Sequence, residues 1–278
     1  MTAPTIQTYT DINWPLLRKN AMSQKGWKRK GPKEWNNKAH SFSERNKNNN
    51  YIDLFIKELP LTPSFTVLDI GSGPGTLALP IAKKVQNVTA IDFSAGMLDV
   101  LNQHAKTDKI ENIKTVECSW EDDWHAKGIR PHDIALASRS IGIDDLVPAL
   151  EKINSFATKF VFLSDRIGAT PFEEGAFEAI GRPFNTGPDY IYTLNILYKM
   201  GIYPNVTVLR PNPVNVYSTL EEALASYSWM FHELTITEKG DLLKYIEQNI
   251  TASTKNSITV QRNSPVQWAL IWWKKDVK

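Results

Sequence analysis

Thr66-Val67-Leu68-Asp69-Ile70-Gly71-Ser72-Gly73-Pro74-Gly75-Thr76-Leu77-Ala78-Leu79 reads as a short apolar strand carrying a carboxylate, then a tight glycine turn, then the start of a helix. A strand that runs into a glycine turn and a helix N-terminus is where α/β folds bind nucleotides, because free backbone N–H groups point at the ligand there. Gly71 and Gly73 permit the turn and clear side chains from the ligand's path, while Gly75 lets helix and strand pack closely. The dinucleotide fingerprint asks for G-x-G-x-x-G, and its sixth position here is Thr76. The chain offers Asp-x-Gly-x-Gly-x-Gly instead, with Asp69 just ahead of the turn. That carboxylate repels a pyrophosphate and attracts a ligand bearing an ammonium group.

Working outward, Asn87 to Ile91 is a second strand, and it ends in Asp92. An acidic residue about twenty positions past the glycine turn is placed to accept hydrogen bonds from both hydroxyls of a ribose. The turn, together with Ala90-Ile91-Asp92-Phe93-Ser94-Ala95-Gly96-Met97-Leu98, resembles motifs I and II of the class I S-adenosylmethionine-dependent methyltransferases. The ligand of that family has an α-amino group and no phosphate. The resemblance covers residues 51–165, and 200–278 by topology alone.

The resemblance implies a doubly wound α/β fold. Its sheet is seven-stranded and mostly parallel, with helices on both faces and the last strand antiparallel. It implies S-adenosylmethionine as methyl donor and S-adenosylhomocysteine as product. Asp69, Gly71, Ser72, Gly73 and Gly75 would hold the amino-acid end, and Asp92 the ribose. Phe93 and Met97 line the adenine pocket or fill core, and Ser94 caps the following helix. After a third strand, Asn112 to Glu117, the family holds its adenine in the loop that is here Cys118-Ser119-Trp120-Glu121-Asp122-Asp123-Trp124. Ser119, Trp120 and Glu121 are the candidates, with Trp120 offering a flat surface for stacking. The alternative is a surface turn with one buried tryptophan.

A fourth strand, Asp133 to Ser138, ends in Ser138-Arg139-Ser140, the place beside the transferable methyl in the resembled family. It is neither Asn/Asp-Pro-Pro-Tyr nor Pro-Cys, which argues against adenine-N6, glutamine and C5-pyrimidine methylation. Cys118 lies on the wrong strand for a nucleophile and reads as core. A helix over 144–156 and a fifth strand over 159–163 lead to Ser164-Asp165-Arg166 at the same sheet edge, where open α/β sheets bind ligands. Candidates for contact with the acceptor are Arg139, Asp165, Arg166, Tyr190, Tyr192 and His232; the catalytic residue is not legible, its candidates being Arg139, Asp165, Tyr190 and His232, with His232 weighed as a base. A base is required only if the acceptor arrives protonated.

The 278 residues suffice for a full core, and hydrophobic and charged contents of 42% and 22% are ordinary for a globular protein. One cysteine excludes an internal disulfide framework and a cysteine-rich metal site, and no histidine pair sits at ligand spacing; no metal is expected. No apolar run is long enough to span a membrane and no signal peptide is visible, so the expectation is cytoplasmic.

Charge is unevenly spread. Residues 1–50 hold ten basic and three acidic residues, +7 against a total of +2, leaving −5 for the remainder. This first segment carries Trp14, Trp27 and Trp35, the cluster Lys28-Arg29-Lys30-Gly31-Pro32-Lys33, and the low-complexity run Asn46-Lys47-Asn48-Asn49-Asn50. It reads as a basic helical extension over 1–50, with a methyltransferase domain over 51–278. Trp35-x-x-x-Ala39-x-x-Phe42 has the look of the family's cofactor lid. The basic cluster is a solvated turn, or a contact for nucleic acid within residues 18–47.

Helical insertions near 168–200 and 218–250 could wall off a pocket, and Ile202 to Tyr217 is a bent or edge strand because of Pro211 and Pro213. Pro265 to Lys274 is the last strand. The favoured acceptor is therefore a small molecule. The alternatives are an RNA or protein methyltransferase using the basic arm, and a module that binds the cofactor without chemistry. The oligomeric state is not legible.

Overall fold

A computed structural model describes residues 8–25, 30–46 and 50–275. The elements in chain order are α1 (Trp14–Ser23), α2 (Pro32–Asn46), α3 (Tyr51–Lys57), β1 (Thr66–Ile70), α4 (Ala78–Ala82), β2 (Asn87–Asp92), α5 (Ala95–Thr107) and β3 (Ile113–Glu117). Then come β4 (His132–Ser138), α6 (Leu146–Ser155), β5 (Ala157–Arg166), α7 (Glu174–Ala179), α8 (Tyr190–Lys199), β6 (Asn205–Leu209) and β7 (Asn215–Tyr217). The chain closes with α9 (Leu220–Ser228), α10 (Ile236–Gln248), β8 (Ile250–Thr254), β9 (Ser257–Val260) and β10 (Trp268–Lys274).

Among the described residues seven strands form one sheet in the order β3-β2-β1-β4-β5-β10-β6. The pairs β1–β2, β2–β3, β1–β4 and β4–β5 are parallel, and β10, last in sequence, runs antiparallel to both β5 and β6. The central strands are buried along their length, as a parallel sheet covered on both faces requires. One face packs against α6, α8 and, through Trp14, α1; the other packs against α3, α4 and Leu101 of α5. This is the expected doubly wound, seven-stranded architecture.

Local chemistry sets the helix ends. Ser94 Oγ accepts from Met97 N at 3.2 Å to cap α5, whose Met97, Leu98, Val100, Leu101 and Ala105 fall at helical spacing and are buried. Asp189 caps α8, and Thr235 with Glu238 forms a capping box on α10.

The region after β5 departs from the sequence reading. Residues 168–200 are not one insertion: α7 joins a separate core, whereas Ile196 and Leu197 of α8 belong to the core of the main sheet. Residues 202–217 divide between two sheets, with β6 at the edge of the main one and β7 in a second, three-stranded antiparallel sheet β7-β9-β8. The hairpin β8–β9 beyond residue 250 was not anticipated, since both of its strands are short and mostly polar. With α7, α9 and α10 this second sheet surrounds its own apolar cluster, including Phe177, Tyr227, Phe231, Leu242 and Ile246. It forms a cap that faces the carboxyl ends of the main strands.

Candidate active site

A cavity of about 1070 Å³ lies between those strand ends and the cap. Ligand sites usually enclose about 300–1,000 Å³, so there is room for a cofactor and a second molecule. The sheet side carries Asp69, Gly71, Ser72, Gly73, Asp92, Phe93, Met97, Ser119, Trp120, Glu121, Ser138, Arg139, Asp165 and Arg166. Eleven of the twelve residues assigned to the cofactor are thus brought to one surface.

Gly75 is the exception. A Cβ there would come within about 3 Å of Leu101 and Leu79, so the position is closed by packing between α4 and α5 and does not face the cavity. Gly71 turns with φ +69°, donates its N–H to Ile91 O at 2.8 Å, and a Cβ on it would meet Ser140 Cβ at 2.4 Å. Gly73, at φ +54°, has nothing within 4 Å of such a Cβ, which leaves its backbone open to a ligand.

Two carboxylates sit behind this turn. Asp92 is 6% exposed; its Oδ2 accepts from Gly73 N and its Oδ1 from Ser94 N, both at 2.9 Å. Burial pushes its carboxyl upward against those N–H bonds. Asp69 is 2% exposed, and burial first, then the charge of Asp92, raises its carboxyl to about 7. Asp69 Oδ2 and Ser72 Oγ are both buried and have no hydrogen-bond partner among the described residues. An orphaned carboxylate oxygen, an orphaned hydroxyl and an open glycine backbone fit a ligand whose amino-acid end is cationic and carries its own donors and acceptors.

The loop after β3 is folded inward. Ser119 Oγ accepts from Glu121 N and Asp122 N, and Trp120 Nε1 donates to Ser140 O at 3.0 Å. Lys152 Nζ holds the carbonyls of Trp120 and Asp122 at 2.7 and 2.9 Å. The buried tryptophan of this loop is Trp124, and the ring of Trp120 remains on the cavity wall.

At the ends of β4 and β5 an unforeseen residue organises the site. Tyr51 Oη lies 2.7 Å from both Ser138 Oγ and Ser164 Oγ, and its ring stacks under the Arg139 guanidinium at 4.5 Å. Trp268 holds the same guanidinium at 5.9 Å. Arg139 has φ +58°, a strained region for a side-chain-bearing residue, and its N–H donates to Ser164 Oγ at 2.9 Å. Asp165 accepts from Thr193 Oγ at 2.7 Å and from Arg166 N at 2.8 Å, and burial pushes its carboxyl upward.

Three acceptor candidates fail on geometry. Tyr190 packs against the main core, Tyr192 meets Trp14 edge-on at 6.2 Å, and His232 is exposed; none lines the cavity. Tyr190 and Tyr192 turn into the sheet core and toward α1, while Thr193 of the same helix reaches Asp165 at the end of β5. Residues that do face the sheet wall from the cap include Phe172, Tyr217, Tyr227, Trp229, Met230 and Arg262.

The N-terminal segment contributes in two places. Arg18 on α1 is 5% exposed and donates to the carbonyls of Asp144 and Ile141, so it is not part of a basic surface. Trp35 and Phe42 of α2 line the cavity, and Ala39 packs with Met97 and Val100. Asn36 Oδ1 accepts from Ser94 Oγ at 2.6 Å and Gly96 N at 3.0 Å, which docks α2 on the start of α5. Trp35 then meets Trp229 of the cap at 5.8 Å, with Lys30 and Lys38 ammonium groups over the Trp229 ring at 4.7 and 5.0 Å. Trp27, Lys28, Arg29 and residues 47–49 lie outside the described residues. No described helix is long and apolar enough to cross a membrane.

A family profile described as a methyltransferase domain matches residues 67–156. An uncharacterized protein of Haemophilus influenzae is 34% identical over 272 residues, 97% of this chain and 99% of that one. A protein assigned as ribosomal RNA small subunit methyltransferase A in Methanosphaera stadtmanae is 32% identical over 80 residues, 27% of this chain and 30% of its own. The structure of BH2331, a methyltransferase candidate from Bacillus halodurans, superposes with a TM-score of 0.56 at 13% identity, covering 82% of this chain and all of that one. The matched domain and the fold agree: residues 67–156 carry a methyltransferase domain on a class I, Rossmann-like seven-stranded sheet, and the orphaned groups of the cavity fit S-adenosylmethionine.

Proposed function

We propose that the chain methylates a small molecule held between the strand ends and the cap. The observation that carries this reading is the wall of cap side chains set opposite the strand ends. The sheet wall is faced by aromatic side chains from the cap, and Trp35 of α2 joins Trp229 across the top. In this reading Asp69, Gly71, Ser72 and Gly73 hold the amino-acid end of the cofactor, Asp92 its ribose, and Ser119, Trp120 and Glu121 its adenine, with Phe93, Met97 and Ser138 completing the wall. When bound, S-adenosylmethionine supplies a methyl group on a sulfonium sulfur. The chain's own work is to exclude water and to fix the acceptor in line, which accounts for much of such catalysis. Asp165 is the base for an acceptor that arrives protonated: it lines the cavity, and its burial raises its proton affinity. Arg139, braced by Tyr51 and Trp268, contributes positive charge to the same wall.

A second reading, an RNA acceptor, is favoured by the local likeness to the ribosomal RNA methyltransferase. It is weakened by the fate of the basic segment, where Arg18 is buried and Lys30 and Lys38 cover Trp229. Transfer of labelled methyl from S-adenosylmethionine into a cell extract, split into metabolite, RNA and protein fractions, tests the proposal. Label in the metabolite fraction is expected; label confined to RNA or protein would overturn it.

A further inference from the structure

The cap half of the cavity holds a polar corner that no cofactor contact uses. Tyr217 at the end of β7, Ser226 and Tyr227 on α9, and Arg262 between β9 and β10 all line it. Tyr227 is 5% exposed, and its hydroxyl is buried with no hydrogen-bond partner among the described residues. A buried hydroxyl in that state is costly, and such groups mark places where a ligand completes the bonding. Beside it Tyr217 Oη donates to Ser226 Oγ at 3.3 Å.

Arg262 is fixed in position rather than flexible. Its Nε lies 3.1 Å from Glu173 Oε2, and another guanidinium nitrogen donates to Phe172 O at 2.6 Å. Glu173 is fully buried, and its Oε1 takes Tyr245 Oη, Asn263 N and Ser264 N at 3.0–3.3 Å. That carboxylate is therefore committed within the cap. The other carboxylate on this wall, Glu222, accepts from Ser218 N at 2.7 Å. Burial chiefly, with Tyr217 and Glu173, keeps the Tyr227 phenol protonated, so its O–H is there to donate.

We propose that Tyr227 and Arg262, with Tyr217 and Ser226, form a subsite for an anionic oxygen group on the methyl acceptor, a carboxylate or a phosphate. The unpartnered Tyr227 hydroxyl and a guanidinium converge there, the kind of donors that such groups require. The proposal rests on the small-molecule reading and sharpens it: the acceptor is amphipathic, its apolar body against Phe172, Trp229 and Met230 and its anion in the corner.

The test uses the full chain saturated with S-adenosylhomocysteine, titrated calorimetrically with phenylacetate, phenyl phosphate and neutral phenylacetamide. At least one anion is expected to bind about tenfold tighter than the amide, and the better of the two identifies carboxylate or phosphate. Tyr227→Phe is expected to weaken that anion about five- to tenfold, to leave S-adenosylhomocysteine affinity unchanged, and to leave Tm unchanged or raised. Loss of thermal stability in Tyr227→Phe would reveal a structural partner for the hydroxyl and overturn the assignment. So would amide binding equal to that of the anions, failure of both anions to bind, or unchanged anion affinity in the variant. Methyl label found only in RNA alongside anion binding in the corner would sink the small-molecule reading and leave the subsite standing. Label in metabolites without anion binding would do the reverse.

Discussion

The sheet wall of the cavity is assembled from five short strand-end stretches, 69–74, 92–97, 118–121, 138–142 and 164–166, in which backbone groups and two buried carboxylates do most of the bonding. The cap wall opposite is assembled from side chains of Phe172, Tyr217, Tyr227, Trp229, Met230 and Arg262, scattered over some ninety residues and supported by a core of their own. The sheet wall is rigid because it is made by the parallel sheet itself. The cap wall can change its side chains without disturbing the sheet, which is the division of labour expected when one cofactor must serve many acceptors.

The largest effect that separates the two walls is at the turn. Gly71→Ala combines a left-handed backbone with a clash on Ser140, and should destabilise folding by about 2–4 kcal/mol in denaturant unfolding. Gly73→Ala, with no neighbour for its Cβ, should cost only about 1–2 kcal/mol, the backbone term alone. Equal losses would show that Ser140 can move away.

Next, Asp92→Ala should weaken the cofactor by about 1–3 kcal/mol in calorimetry, since it leaves hydroxyls without a buried partner. An unchanged affinity would remove the ribose assignment from the sheet wall.

The pH dependence of binding sharpens the contrast, because the coupled pair of acids lies on one wall only. Asp69 has its carboxyl raised to about 7 in the free protein. The folded state therefore holds that proton longer than the unfolded chain does. The stability it contributes is present below about pH 4 and is lost as pH rises through 7. A cationic ligand needs the ionised form, so cofactor affinity should climb up to about tenfold per unit as pH rises toward 7 and then level off. Asp69→Asn should flatten that profile, and a wild-type profile flat from pH 5.5 to 8 would contradict the raised value.

The smallest effect falls where the walls touch. Lys38→Met removes one of the two ammonium groups over Trp229 and should cost about 0.5–1 kcal/mol, read as earlier proteolysis of α2. No change in cleavage would mean that the Trp35–Trp229 contact alone closes the top.

Most of the sheet wall was legible because its signals are local. A strand followed by a glycine turn, and an acid at the end of the next strand, each fit within a window shorter than ten residues. Gly75 was half-read: its packing role was seen, but only the positions of Leu79 and Leu101 show that packing excludes it from the cavity. Tyr51 begins α3, and nothing near it in sequence signals the hydroxyls of Ser138 and Ser164 that it joins. Tyr190, Tyr192 and His232 were candidates by residue type, and the orientation of α8 and the surface position of His232 removed them. The hairpin β8–β9 had a signal in two Thr- and Ile-bearing runs around Lys255-Asn256, although its polar faces give weak periodicity.

By itself the sequence determined the alternating strands and helices, the glycine turn and its two acids, since hydrophobic runs and turn residues act over a few neighbours; the doubly wound sheet with its antiparallel final strand followed from the resemblance those motifs carry. Only the tertiary structure decided that Arg139 stacks on Tyr51, that α2 meets the cap through Trp229, and that Tyr227 and Arg262 share a corner. Those groups are brought together by the packing of two separate cores, and the distance between them along the chain carries no trace of it.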